Sequence, residues 1–252
     1  MDSMMPTALI VEDEPAANQL LAMLVQLKGY QTESAFSGSE AIRKADDSRP
    51  DVVFLDLMLP DINGYEVCRA LRGRRATNEI PIVLVTARLA DENRLQGFRA
   101  GAAEYVPKPY TPDQIFQAMS RADTWRSRIA ELPSSGEIPI GRDHLACYQH
   151  ASDLHRLLLA RTRLSEDDVG RVITAVLDSF QRASSWAEDH PCGLVAKFGY
   201  KLEPSRIILN LCDESGWFRD EPPVAIAAQM AQAGFDLLHV DANEIAFLCG
   251  TM

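Results

Sequence analysis

Asp51-Val52-Val53-Phe54-Leu55-Asp56-Leu57-Met58-Leu59-Pro60 is the stretch on which the fold turns. Four apolar residues, Val52 to Leu55, lie between two aspartates. The run is too short for a helix and is rich in β-branched and aromatic residues, so it reads as a strand buried on both faces. Strands of that kind belong to parallel sheets covered by helices on either side. In such sheets, sites form just beyond the carboxyl ends of the strands, and Asp56 stands at one.

Similar runs flank this stretch. Thr7–Val11 is a strand followed at once by Glu12, Asp13 and Glu14. Leu20, Leu21, Leu24, Val25 and Leu27 then recur at helical spacing up to Gly29. Strands are predicted over 30–35, 51–55, 80–85 and 104–106, and helices over 38–46, 65–72 and 91–100. A last helix begins at Thr111, a good N-cap with Pro112 in the first helical position, and runs to about residue 132. Five strands alternating with helices predict a parallel sheet with right-handed crossovers.

Chemically distinctive residues fall at the carboxyl ends: Glu12, Asp13, Asp56, Thr86 and Lys108. Three converging carboxylates repel one another unless a cation sits among them. Hard oxygen ligands suit Mg²⁺, which keeps several waters and needs few protein carboxylates. Thr86 can hydrogen-bond a phosphoryl oxygen and Lys108 can pair with another. Asp56 is then the nucleophile that accepts the group, with metal and lysine offsetting the charge.

Val11-Glu12-Asp13-Glu14, Leu55-Asp56-Leu57-Met58-Leu59-Pro60-Asp61-Ile62-Asn63-Gly64, Val85-Thr86-Ala87 and Gly101-Ala102-Ala103-Glu104-Tyr105-Val106-Pro107-Lys108-Pro109 agree in order and spacing with one family. Residues 6–124 resemble the receiver domain of two-component response regulators. The resemblance implies a flavodoxin-like doubly wound sheet in the order 2-1-3-4-5, with Asp56 as phosphoacceptor. It implies Glu12 and Asp13 as the acidic pair, the Met58 carbonyl as a metal ligand, Thr86 and Tyr105 as a switch pair and Lys108 as the phosphate partner. A cis bond before Pro109, a histidine kinase or phosphotransfer protein as donor, and a dimer face built from the fourth helix, fifth strand and fifth helix are implied as well.

Pro133-Ser134-Ser135-Gly136-Glu137-Ile138-Pro139-Ile140-Gly141 breaks the pattern as linkers do. The domain reading is 1–124, a helix extension and linker over 125–141, and a smaller two-layer α+β domain over 142–252. In the last, helices are expected at about 143–163, 166–187 and 222–234, and strands at 193–201, 205–212, 237–240 and 244–249. Ser165 with Asp168 reads as a capping box. From residue 125 onward there are 12 Lys and Arg against 18 Asp and Glu. That balance disfavours a DNA-binding helix-turn-helix.

Residues 174–183 and 206–218 resemble the histidine-kinase-type ATPase fold in a degenerate form, closest to the anti-sigma-factor serine kinases. Asp178 stands where that family has Glu, and Arg182 where it has a metal-binding Asn. Asp213 matches the adenine-binding aspartate, but Ser215 and Trp217 occupy glycine positions. Arginine has no lone pair for Mg²⁺, and Trp217 fills space a nucleotide would need. The expected output is therefore protein binding with a downstream regulator, without enzyme activity beyond the receiver's own phosphorylation and dephosphorylation. The rival readings are a receiver-gated ATP-dependent serine kinase and a phosphorelay step through His155. His144, Cys147 and His150 form a weak metal motif, because three-residue steps drift around a helix.

The net charge of −11 argues against nucleic-acid binding over the whole surface. Five scattered cysteines without a C-x-x-C pair suit reduced thiols. With no signal peptide and no apolar run of about 18 residues, a cytoplasmic protein with no membrane span is expected.

Overall fold

The computed structural model describes residues 5–87, 96–141, 144–190, 194–220, 223–232, 234–240 and 244–250. The chain divides into two compact units, Met1–Glu131 and Leu132–Met252.

In the first unit, β1 (Thr7–Val11), β2 (Gln31–Ala35), β3 (Val52–Leu55), β4 (Ile82–Thr86) and β5 (Glu104–Pro107) form a parallel sheet. Its order is β2-β1-β3-β4-β5, as expected. The helices are α1 (Pro15–Gln26), α2 (Gly38–Ser48), α3 (Gly64–Arg72), α4 (residues 96–99) and α5 (Pro112–Glu131). The helix predicted over 91–100 lies partly outside the described residues.

β3 explains the double winding. All four of its residues are buried, and alternate side chains enter different cores. Val52 and Phe54 pack with Leu21 and Val25 of α1 and with Ile115 and Met119 of α5. Val53 and Leu55 pack with Ala41 and Ala45 of α2 and with Val67 and Leu71 of α3. The start of α5 is a capping box: Thr111 N–H donates to Gln114 Oε1 at 2.8 Å, and Gln114 N–H to Thr111 Oγ1 at 3.4 Å.

The second unit holds β6 (Ser135–Gly141), α6 (His144–Arg161), α7 (Glu166–Asp189), β7 (Leu194–Glu203), β8 (Arg206–Asp213), α8 (Trp217–Asp220), α9 (Pro223–Gln232), β9 (Asp236–Val240) and β10 (Glu244–Gly250). Its sheet is antiparallel in the order β6-β7-β8-β10-β9. Phe198 and Tyr200 of β7, and Ile207, Leu209 and Leu211 of β8, face a core shared with Leu154, Leu157 and Leu158 of α6 and Val172, Val176 and Phe180 of α7. Ser165 caps α7 as expected, accepting from Asp168 N–H at 3.0 Å while its hydroxyl donates to Asp168 Oδ2 at 2.6 Å.

α5 runs to Glu131, in line with the helix extension expected after residue 124. The linker reading is corrected over 135–141, which are a strand paired with β7. Ile138 and Ile140 alternate into the core, whereas Pro139 sits on an edge strand, where a missing N–H breaks no internal ladder.

Candidate functional site

The parallel register brings the strand ends together. Asp56 N–H donates to Val11 O at 2.9 Å, which places the residue after β3 beside the one after β1. Glu12 N–H donates to Ala35 O at 3.1 Å. Lys108 N–H donates to Thr86 O at 2.8 Å, holding the β5 exit against the end of β4. The Lys108–Pro109 peptide is cis. The Lys108 ammonium donates to Asp56 Oδ2 at 2.6 Å and also to Glu12 Oε2. Asp56 Oδ1 accepts from Met58 N–H at 3.1 Å.

Glu12 and Asp56 are 4% and 6% exposed, so two carboxylates are nearly withdrawn from water and share one ammonium. Burial raises the Glu12 carboxyl above its ordinary range, against the lowering effect of Lys108, with the Asp56 charge raising it further. Burial alone would lower the Lys108 ammonium. The hydrogen bonds and charges of Asp56 and Glu12 outweigh it and hold the ammonium above its ordinary value. Tyr110 lies close enough to feel Lys108, Glu12 and Asp56, and burial raises its hydroxyl.

Thr86 is fully buried at the end of β4. Tyr105 is half-buried with its Oη enclosed, and packs against the core on the α3 side of the sheet. A Cβ at Gly97 would stand 3.8 Å from its ring. Asp13 and Met58 are exposed beside the buried pair. Among the described residues, no group of three His, Cys, Asp or Glu gathers to hold a metal ion. The oxygen donors do fit a small hard cation that keeps most of its water and takes one or two carboxylates with a backbone carbonyl.

Asn18, and the close backbone approach made at Gly64, escaped the sequence reading. Asn18 is buried; its Nδ2 donates to Ile10 O at 3.2 Å and Glu12 O at 3.3 Å, and its Oδ1 accepts from Ser34 Oγ at 2.6 Å. It ties the exit of β1 to α1 and β2. Gly64 opens α3 directly against the Asp56 carbonyl, where a Cβ would lie 2.4 Å from the oxygen. Only the period of α1, which puts residue 18 on the side of Leu21, Ala22 and Val25, signalled Asn18 as buried.

In the second unit, Asp213 is occupied by its own loop. Its Oδ1 accepts from Ser215, Gly216 and Trp217 N–H at 2.9, 2.9 and 3.1 Å, and its Oδ2 from Phe218 N–H at 3.0 Å. The carboxylate caps α8, and Trp217 is fully buried. Asp178 is half-buried and Arg182 exposed on α7. Cys147 is buried beside Ser184, and the side chain of His144 lies outside the described residues. His155 Nε2 and His150 Nδ1 are enclosed, so His155 does not present Nε2 to a phosphodonor.

The Response regulator receiver domain model matches residues 8–120. Transcriptional regulatory protein AfsQ1 of Streptomyces coelicolor is 31% identical over 227 residues, covering 79% of this chain and 99% of the relative. DNA-binding response regulator MtrA of Mycolicibacterium smegmatis is 36% identical, over 56% of this chain and 60% of the relative. Among solved structures, chemotaxis protein CheY4 of Vibrio cholerae covers 47% of this chain and 99% of its own, at 29% identity and a TM-score of 0.45. No helix among the described residues is long and apolar enough to cross a membrane.

Proposed function

The chain belongs to the response regulator family, and we propose that it takes a phosphoryl group on Asp56 from a partner histidine kinase and passes that state to its second unit. The observation that carries this reading is the Lys108 ammonium shared by two buried carboxylates at adjoining strand ends. An Asp56 Oδ attacks the phosphorus of a phosphohistidine. The P–N bond breaks, the imidazole nitrogen keeps the electron pair, and an acyl phosphate remains on Asp56. Receiver domains generally use Mg²⁺, which would neutralise charge on the transferring group; here Glu12, Asp13, Asp56 and the Met58 carbonyl are its proposed holders. Lys108 follows the charge to the phosphoryl oxygens, and Thr86 supplies a hydroxyl. Tyr105 then changes its packing, and the face of α4, β5 and α5 changes what it offers to a second copy of the chain.

Leu20 and Met23 on α1 and Leu27 at its C-cap are 54%, 52% and 75% exposed at helical spacing. They form a stripe that suits a kinase helix. In the second unit, the capping role of Asp213 and the burial of Trp217 favour a protein-binding output over ATP chemistry. Relatives described as DNA-binding favour a DNA-reading output, against which stands the acidic balance of the second unit. The expectation that DNA is no partner gains no support from those relatives and stays a proposal.

The test of the site is phosphorylation by acetyl phosphate in Mg²⁺, read by intact mass. The native chain is expected to gain one phosphoryl group and Asp56→Asn none. Equal labelling of Asp56→Asn would remove Asp56 from the role.

A further inference from the structure

We propose that Asp61 is a positioning residue for the phosphoacceptor loop, strapping residues 57–63 to the first turn of α2 so that Met58 and Asp56 keep their relative placement. The proposal rests on the reading of Asp56 as phosphoacceptor and of the Met58 carbonyl as a metal ligand.

The loop is fixed at its root and at its tip. At the root, Gly64 N–H donates to Leu57 O at 3.1 Å, and the backbone approach to the Asp56 carbonyl admits only glycine. At the tip, Asp61 Oδ1 accepts from Gly38 N–H at 2.8 Å and Ile62 N–H at 2.8 Å, and Oδ2 accepts from Ser39 N–H at 2.9 Å. Gly38 and Ser39 open α2, so their N–H groups have no partner within the helix, and the helix dipole favours an anion there. A second feature fixes the same contact. A Cβ at Gly38 would stand 2.4 Å from Ile62 Cγ1 and 2.8 Å from Val67 Cγ2, so glycine makes the seat that Ile62 occupies.

Asp61 is not needed to start α2. Ser37 already caps it, its Oγ accepting from Glu40 N–H at 3.2 Å. What Asp61 adds is the place of the loop. The amides of Ser39 and Gly38 hold its carboxyl well below the ordinary range, so the strap is charged at neutral pH. Met58 is exposed, and an exposed loop residue asked to present a carbonyl to a metal needs fixing from elsewhere.

The experiment compares the full chain, Asp61→Ala, Asp61→Asn and Ser37→Ala. Mg²⁺ affinity is read by calorimetric titration, thermal unfolding by circular dichroism, and phosphorylation by acetyl phosphate at low and saturating Mg²⁺. Asp61→Ala is expected to weaken Mg²⁺ binding about tenfold, the size of effect seen for groups that orient metal ligands. Its phosphorylation slows at low Mg²⁺ and recovers at saturation. Asp61→Asn keeps one acceptor but points an N–H₂ at Ser39, and falls between. Ser37→Ala lowers the unfolding midpoint and leaves Mg²⁺ affinity unchanged. Native Mg²⁺ affinity in Asp61→Ala, or an equal loss in Ser37→Ala, overturns the proposal. A native chain that binds Mg²⁺ but takes no phosphoryl group sinks the reading of Asp56, and the affinity comparison still decides on Asp61. A native chain that binds no Mg²⁺ overturns both.

Discussion

Arg72 ends α3 fully inside the receiver unit, 2% exposed. Its Nε donates to Gly101 O at 2.7 Å, and its Nη1 to Asn78 O at 2.9 Å and Ile80 O at 2.7 Å. The guanidinium also lies 4.5 Å from the Trp125 ring centroid. Burial lowers its pKa only to about 10, so it is charged at neutral pH and bonds three carbonyls as a cation. Arg72→Met would leave those carbonyls without a donor and is expected to cost about 2–4 kcal/mol in urea unfolding of the full chain. A change under 0.5 kcal/mol would mean that water replaces the guanidinium. The roles of Arg72 and Asp61 were illegible in the sequence for one reason: their partners are carbonyls or amides brought near by the fold, and backbone leaves no mark on composition. Asp56, Thr86 and Lys108 were legible because each follows an apolar run, and the end of a buried strand is a place the sequence marks by itself.

β6 shows how local composition can hide an element. Pro133, Ser134, Ser135, Gly136, Pro139 and Gly141 carry every sign of a linker, yet Ile138 and Ile140 are 6% and 0% exposed. Alternation over two apolar positions is too weak a signal to outweigh that many turn residues, and only the long partner β7 supplies the ladder that makes the strand. Two outcomes follow at this level. Ile140→Ala should cost about 3 kcal/mol, the usual price of an emptied core position. A fragment of residues 132–252 should unfold cooperatively in a thermal scan, whereas 142–252 should melt at least several degrees lower and without a sharp transition, because the β7 edge and the core beneath it are uncovered. Equal melting of the two fragments would make β6 an ornament. The long helix α7 was legible to within two residues, because Ser165 and Asp168 mark its start and Val172, Ile173, Val176, Leu177 and Phe180 recur behind them at helical spacing. Ser165→Ala should cost about 1 kcal/mol in the same assay.

The output is the question that belongs to the full chain. Phosphorylation adds about −1.5 to −2 charges to a protein already at −11. DNA affinity rests on phosphate neutralisation by Lys and Arg, and a chain this acidic would need a concentrated basic face to overcome its own field. Several of the second unit's described cations are already paired: Lys197 with Glu214 at 2.9 Å, Arg171 with Asp168, and Arg206 with Glu203. The phosphorylated chain is therefore expected to show no retention of a random-sequence duplex by fluorescence anisotropy at 50 mM or 200 mM salt. A specific DNA binder making six or more phosphate contacts loses about 10³-fold or more in affinity between those salts, so a steep salt dependence would reveal one. Protein capture should behave differently, with phosphorylated native chain and Asp56→Asn treated alike retaining different partners from the same extract. Steep, salt-sensitive duplex binding by the phosphorylated chain, absent in Asp56→Asn, would overturn the protein-binding output and place this chain with the relatives described as DNA-binding.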